Sequence, residues 1–342
     1  MSATQQSPAL STDARSSGVS PGPRLHPIPA APEPFHAHAV SSPQARHPWA
    51  AVAVAWHFFS LDAATVAVVW CWFWGAVFHV AYSRVTLPIL GMGTWIVYVA
   101  DRLLDGYTAS ETVALRERHW FYFRHRKLFT AACLAVAAPL AWMILRLAQP
   151  GVRAGDIALC ILGIAYFSLV HGRQTQAPAA AHRAFLVPKE LAVGFLFAAA
   201  CTMPAILRAR HVPAMLVLDA IGFGALCSLN CVAIQTWEDE EAAQEVVHSI
   251  LATHQRALRI HPVTAFLGRH LRLWSGALLL LAVAGVGLAP SAMLALPWAA
   301  IGGSAAIFLL LLHGRPRLSA LTLRIAADAA LLTPLLLWPL LR

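Results

Sequence analysis

The sequence predicts an all-α polytopic membrane protein, a bundle of about nine transmembrane helices. Three observations predict it: 58% of the residues are hydrophobic, only 12% are charged, and the apolar residues fall into long runs separated by polar links. A soluble domain carries about 25% charged residues. A helix needs about 20 mostly apolar residues to cross a bilayer, so the 342 residues have room for about eight to ten spans.

The N-terminal residues 1–47 are rich in Ser, Pro and Ala and show no apolar periodicity. Such a segment buries too little surface to order itself, so we predict a disordered tail. It does not match a cleaved secretory signal, because no charged region precedes an apolar one. The membrane domain is predicted over 48–342, and it begins with an interfacial helix from Trp49 to Phe59 that His57 interrupts.

Nine apolar runs follow, each long enough for a membrane span. The predicted spans are 62–82, 86–106, 128–147, 155–171, 188–207, 212–236, 273–290, 294–313 and 320–341. Most of the 25 Lys and Arg residues fall on the side that carries the N-terminus. Because basic residues concentrate on the cytoplasmic side, we predict a bacterial cytoplasmic membrane protein with its N-terminus inside and its C-terminus outside.

The formal charge of +9 does not indicate a nucleic-acid-binding protein. The basic residues are scattered at the ends of apolar segments, where they anchor topology and contact lipid headgroups. No basic face is free of hydrocarbon, so we predict no nucleic-acid partner. The six cysteines all lie inside apolar segments and form no CxxC pair, so we predict neither a disulfide framework nor a zinc site.

Two carboxylates close the second predicted span. Asp101 and Asp105 are four residues apart, so they share one face of a helix. Like charges at that spacing repel unless a cation lies between them, and Mg²⁺ commonly combines one or two carboxylates with phosphate oxygens. The alternative is a solvated helix end at which Arg102 neutralises one carboxylate.

A second polar group closes the sixth predicted span, on the same side of the membrane. Its members are amide and carboxyl side chains: Asn230, Gln235, Glu238, Asp239, Glu240 and Glu241. Two acidic helix ends on one side can face each other across a common cavity. The alternatives are an ordinary acidic loop start and, for Asn230, a polar contact between helices.

Lys189, one of two lysines in the chain, opens the fifth predicted span. Its apolar surroundings suggest a cation held near the cytoplasmic interface. Snorkelling to headgroups, or pairing with Glu190, is the alternative. Elsewhere, Arg324 and Asp328 are four apart and predict an internal ion pair, and Asp62 lies where a helix cap is expected.

Taken together, these residues resemble the UbiA-type intramembrane prenyltransferases. The segment 100–106, Ala-Asp-Arg-Leu-Leu-Asp-Gly, looks like the latter part of the NDxxDxxxD motif that closes the second of nine helices in that family. Lys189, followed by Gly-Phe-Leu-Phe at 194–197, is similar to the basic residue and the run that open the fifth helix. Val97 and Tyr98 stand where the family has Asn-Asp, and 230–239 holds fewer aspartates than the family's second motif.

The resemblance implies a UbiA-like bundle that transfers a prenyl group from a prenyl diphosphate to an acceptor, with Mg²⁺. The implied metal ligands are carboxylates: Asp101, Asp105, Glu238 and Asp239. The implied catalytic groups are charged: Asp101, Asp105 and Lys189. The implied substrate contacts are polar or cationic: Arg102, Tyr98, Asn230 and Gln235.

Two other functions compete with this one. The first is a non-catalytic protein that binds isoprenoid or membrane lipid on the same fold, which the incomplete motifs favour and which predicts binding that is insensitive to chelators. The second is a transporter. A transporter is disfavoured because the sequence shows no internal repeat and no matched pair of interrupted helices.

Overall fold

A computed structural model describes residues 48–109, 117–148, 150–171, 188–209, 211–248 and 261–341. Within these ranges the chain forms helices and turns, and no strand occurs among them. The predicted disordered tail, residues 1–47, lies outside the described residues.

Twelve α-helices succeed one another along the described chain. Their bounds are α1 Pro48–Phe58, α2 Leu61–Val77, α3 Thr86–Ala109, α4 Glu117–Arg124, α5 Arg126–Trp142, α6 Pro150–His171, α7 Lys189–Ile206, α8 Ala214–His248, α9 Pro262–Arg269, α10 Leu271–Leu288, α11 Ala292–Gly314 and α12 Ala320–Ala330. A π-helical turn, Met143–Leu147, continues α5, and a 3-10 helix, Thr333–Leu341, follows α12.

Seven helical segments of the described chain are long and apolar enough to cross a membrane. They are Thr86–Asp105, Arg126–Leu147, Lys189–Ile206, Ala214–Glu241, Leu271–Leu288, Ala292–Arg317 and Ala320–Leu341. The bent pair of α1 and α2 is an eighth candidate. The all-α polytopic membrane fold is therefore confirmed. The remaining predicted span, 155–171, falls on α6, and the count of nine stays a prediction.

A sharp corner separates α1 from α2, whose axes differ by 87°. Ser60 forms this corner with φ 56°, a left-handed conformation that a residue with a Cβ rarely adopts. Such a conformation persists only where neighbouring groups hold it. The corner brings His57, at the end of α1, beside Asp62, in the first turn of α2.

The main core lies where α2 packs against α7, α8, α11 and α12. Trp70 is fully buried there, and its ring stacks on Phe223 with 3.9 Å between the centroids. The indole N–H donates to the carbonyl of Leu331 at 2.7 Å, so the polar atom of this large side chain is satisfied. The contact fixes the last turn of α12 against α2.

The outer faces of several helices expose large apolar side chains. Leu280 and Leu288 of α10 are 72% and 82% exposed, and Leu336 is 74% exposed. Contiguous apolar surface of this kind is rare on soluble monomers. Hydrocarbon chains of the bilayer solvate such side chains without cost, as the membrane fold requires.

Gly194 allows α7 and α8 to approach closely, because a Cβ at this position would lie 2.4 Å from the backbone nitrogen of Ser228. We expect Gly194→Ala to force the two helices apart and to lower the free energy of unfolding by about 1–3 kcal/mol. The melting temperature of the purified protein in detergent measures this change. The matched control is Gly276→Ala in α10, where the new Cβ meets nothing within 4 Å. An equal effect of the two substitutions would contradict the close-packing argument.

Candidate functional site

Three ionisable side chains meet at the corner between α1 and α2. The Nδ1 atom of His57 lies 2.7 Å from Oδ2 of Asp62 and 3.6 Å from Oδ2 of Asp328, which α12 supplies. His57 and Asp62 are 2% and 1% exposed. Burying unpaired charged groups is costly, so these contacts are needed for the helices to pack as they do.

Arg102 and Asn230 complete this group. Nη1 of Arg102 donates to the carbonyl of His57 at 2.9 Å and to Oγ of Ser60 at 2.7 Å, and its Nη2 lies 4.0 Å from the Asp62 carboxylate. Nδ2 of Asn230 donates to Oδ1 of Asp328 at 2.9 Å. The five side chains are called the buried cluster below: His57, Asp62, Arg102, Asn230 and Asp328.

The short helix α4 closes the buried cluster from one side. The hydroxyls of Tyr122 and Ser60 share a hydrogen bond of 2.7 Å, and the guanidinium of Arg102 lies 5.8 Å from the centre of the Tyr122 ring. Burial raises the pKa of Tyr122, so this hydroxyl keeps its proton at neutral pH. Arg102 is therefore held by the α1–α2 corner and by α4 at once.

A second charged contact joins the end of α3 to the start of α7. Oδ1 of Asp101 lies 4.0 Å from Nζ of Lys189, and the two side chains are 31% and 42% exposed. Asp105, half-buried, follows one turn later on α3. Ion pairs this exposed contribute only about 0–1 kcal/mol to stability. We call this contact the Asp101–Lys189 pair.

An apolar cavity of about 420 Å³ lies between α3, α5, α6 and α7. Tyr98 and Ala100 line one end of it, and Thr86, Asp156 and Arg208 line the other. Thr86 and Ala100 both belong to α3, and at a rise of 1.5 Å per residue the two ends of the cavity are about 20 Å apart. Most of the wall between them consists of aliphatic side chains. The cavity therefore suits an elongated apolar ligand.

The Asp101–Lys189 pair lies at the Tyr98 end of this cavity. Asp101 directly follows Ala100, and Lys189 lies one helical turn before Val193; both Ala100 and Val193 line the cavity. Neither Asp101 nor Lys189 lines the cavity itself, so a ligand in the cavity would have to extend past this end to reach the pair.

The Asp101–Lys189 pair and the buried cluster lie at the same end of the helical bundle. Arg102, a member of the buried cluster, directly follows Asp101 along α3. We call the combined set, the Asp101–Lys189 pair and the buried cluster, the polar layer.

The remaining residues of the second predicted motif lie further along α8 and have protein partners. Nε2 of Gln235 donates to Oδ1 of Asp239 at 2.8 Å, within the same helix. Arg324 of α12 lies 3.3 Å from the Glu238 carboxylate and 2.6 Å from that of Glu241. Arg324 thus pairs with α8, and not with Asp328 as the spacing within α12 predicts. Its side chain points to the carboxylates of the neighbouring helix because Asp328 is held by His57 and Asn230.

The implied Mg²⁺ ligands fit only in part. Asp101 and Asp105 are partly exposed carboxylates one turn apart on α3, a set that matches the one or two carboxylates Mg²⁺ commonly takes. Glu238 is 1% exposed and held by Arg324, so a cation would have to displace a guanidinium to reach it. Asp239 accepts a hydrogen bond from Gln235.

Sequence reasoning missed three members of the buried cluster. The sequence pattern predicts an interruption of an apolar helix at His57, a helix cap at Asp62 and an ion pair of Asp328 with Arg324. The available signal was that all three are ionisable residues within apolar segments, where such groups are expensive and mark function or internal pairing. Nothing local in the sequence showed that they meet.

No protein-family model, no curated protein and no solved structure matches this chain. The fold and the polar layer together define the class: a polytopic α-helical membrane protein with charged side chains at one end of an apolar cavity.

Proposed function

We propose that this protein is an intramembrane prenyltransferase of the UbiA type, which binds a prenyl diphosphate and transfers its prenyl group to an acceptor. One observation supports this above all: the Asp101–Lys189 pair is next along the helices to residues that line one end of an apolar cavity of about 420 Å³. The isoprenoid chain occupies the cavity, and the diphosphate lies against Lys189.

The chemistry follows from where charge develops. The allylic C–O bond of the donor breaks, the acceptor bonds to the freed prenyl carbon, and a proton leaves the acceptor. Lys189 stabilises the negative charge that grows on the departing diphosphate. Mg²⁺, which Asp101 and Asp105 would hold, supplies further neutralisation of that charge. Tyr98, at the same end of the cavity, offers its ring face to the positive allylic carbon.

The other side chains predicted to contact the substrate or the metal have different roles in this proposal. Arg102 and Asn230 belong to the buried cluster, so they position the helix ends and do not touch the donor. Gln235 and Asp239, one turn apart on α8, remain proposed contacts for the diphosphate or the acceptor. We place the polar layer at the cytoplasmic face, with the N-terminus inside and α6 as one of nine spans.

A non-catalytic isoprenoid-binding protein is the second candidate, and one observation favours it. In α8, Glu238 and Glu241 are paired with Arg324, and Glu240 is paired with Arg315. Protein cations therefore neutralise these carboxylates. A protein with this arrangement retains the cavity for an isoprenoid chain but lacks a second cation-binding carboxylate set.

The two candidates differ in what happens to a bound donor. Purified protein is incubated with geranyl, farnesyl or geranylgeranyl diphosphate and Mg²⁺, and bound donor and released pyrophosphate are measured separately. Release that stops on addition of a chelator supports the transferase. Saturable binding without release, unchanged by the chelator, supports the non-catalytic protein. Absence of donor binding would overturn both.

The cavity itself predicts a change in donor preference. Gly93 lines the middle of the cavity, and a Cβ there has its nearest neighbour, Leu140, at 4.0 Å. We expect Gly93→Phe to fill this space and to weaken binding of geranylgeranyl diphosphate at least about tenfold more than that of geranyl diphosphate. Gly276→Phe, on α10 and away from the cavity, is the control. Equal weakening of both donors would contradict the assignment of the chain to the cavity.

A further inference from the structure

In the buried cluster, one proton on His57 cannot form hydrogen bonds to both neighbouring carboxylates. One nitrogen, Nδ1 of His57, faces two carboxylates, at 2.7 Å in Asp62 and at 3.6 Å in Asp328. A single N–H makes one good hydrogen bond, and a contact of 3.6 Å is too long to count as a second. One ligand atom from each of these residues lies within 4.8 Å of the others. A cation among them would contact all three.

The buried cluster also holds more carboxylates than cationic side chains. Asp62 and Asp328 carry two negative charges when ionised, and Arg102 supplies one positive charge at 4.0 Å from Asp62. With a neutral His57 the cluster holds one negative charge in excess, which is costly inside an apolar bundle. A divalent ion would replace this excess by one positive charge, so the charge count is not what selects a metal. The argument for a metal is the convergence of the three ligand atoms.

Asn230 supplies an independent observation. Its side chain is 7% exposed, and its Nδ2 donates to Asp328, yet its Oδ1 is buried without a hydrogen-bond partner in the described part of the chain. A proton on His57 leaves this oxygen unsatisfied. This oxygen, on the amide that already contacts Asp328, is a candidate fourth donor for an ion bound there.

We propose that the buried cluster is a binding site for a divalent first-row transition metal such as Zn²⁺, Fe²⁺ or Mn²⁺. The ligands are Nδ1 of His57, the carboxylates of Asp62 and Asp328, and Oδ1 of Asn230. Metal–ligand bonds of about 2.0–2.2 Å place neighbouring ligand atoms about 3 Å apart. The distances from Nδ1 of His57 to the two carboxylates, 2.7 and 3.6 Å, are just below and just above that value. An imidazole among oxygen donors favours these metals over Mg²⁺ or Ca²⁺, which take oxygen ligands.

Arg102 then holds the metal ligands in place. It donates to the carbonyl of His57 and to Oγ of Ser60, and its Nη2 lies 4.0 Å from Oδ2 of Asp62. Groups that orient the ligands in this way fix metal affinity in many sites. The site is separate from the accessible carboxylates Asp101 and Asp105, so the inference stands whether or not the protein transfers prenyl groups.

The test is a metal titration of the full-length protein, purified in detergent and stripped with a chelator. Zn²⁺, Fe²⁺ and Mn²⁺ are added separately, bound metal is measured by elemental mass spectrometry, and the melting temperature is recorded. We expect at least one of them to bind as one ion per chain in Asp101→Asn, which lacks a proposed Mg²⁺ ligand, and to raise the melting temperature, because an ion that binds only the folded state stabilises it.

Variants locate the ion. His57→Ala and Asp328→Ala are expected to weaken metal binding by more than about 100-fold, since loss of an outer partner alone costs about 10–100-fold. Asp219→Asn, a fully buried carboxylate elsewhere on α8, and Asp101→Asn are expected to retain the ion. Retention by Asp328→Ala would overturn the proposal. If the alanine variants do not fold, the wild type decides: no stoichiometric ion and no chelator-reversible rise in melting temperature would also overturn it.

Discussion

Replacing Lys189 with methionine is expected to lower the rate of the proposed prenyl transfer by about 10²–10³-fold, the cost of removing one preorganised charge from a developing anion. The same change should leave the melting temperature nearly unaltered. The reason is that the Asp101–Lys189 pair is 31% and 42% exposed, and ion pairs of this exposure add little stability. Steady-state pyrophosphate release and thermal unfolding of the same preparation measure both quantities.

Lys127 provides a matched control, because it is the other lysine of the chain and lies exposed at the start of α5. Lys127→Met should leave the rate unchanged. Asp101→Asn should lower the rate as Lys189→Met does, and excess Mg²⁺ should not restore it. A Lys189→Met enzyme with a wild-type rate would remove the cation from the proposed mechanism.

Replacing Arg102 with methionine is expected to produce the largest loss of stability, about 3–5 kcal/mol in the free energy of unfolding. Arg102 is 7% exposed, donates to the His57 carbonyl and to Ser60, and lies beside the buried Asp62. Methionine fills similar space but leaves Asp62 without its cation, and it releases the left-handed corner at Ser60. Chemical denaturation in detergent, followed by tryptophan fluorescence, measures the loss.

A double substitution separates charge from packing in this result. Asp62→Asn in the Arg102→Met background removes the uncompensated charge, so part of the lost stability should return, and the two effects should not be additive. Arg272→Met, in the exposed first turn of α10, is the control and should change stability by no more than about 0.5 kcal/mol. A similar loss in both arginine variants would show that Arg102 is not a special contact.

The seven helices that are long and apolar enough to cross a membrane were predictable, because hydrophobicity along the chain is a local property. A run such as 273–290 must cross lipid whatever its neighbours are, and α10 lies there, at Leu271–Leu288. The corner at Ser60 was not predictable, because no Gly or Pro marks it. Its conformation is held by Arg102 and Tyr122, which come later in the chain.

The candidate site divides in the same way. Asp101 and Lys189 are predictable from the sequence, because a charged residue at the end of an apolar run is easy to identify along the chain. The structure places their charged atoms 4.0 Å apart. Helical spacing predicts an ion pair of Arg324 with Asp328 on α12, but Arg324 pairs with Glu238 and Glu241 of α8. Sequence spacing identifies which side chains can meet on one helix. It does not show whether a partner on a different helix forms the stronger contact.

The order of apolar runs and polar ends, by itself, determined that this chain is a helical membrane protein and which charged residues end its helices. Only the tertiary structure decided that His57, Asp62 and Asp328 converge, and that the Asp101–Lys189 pair lies at the end of a cavity. The physical reason is the range of the interactions. Partition into lipid acts on each segment alone, whereas a contact such as that of Asn230 with Asp328, 98 residues apart, exists only once whole helices have packed.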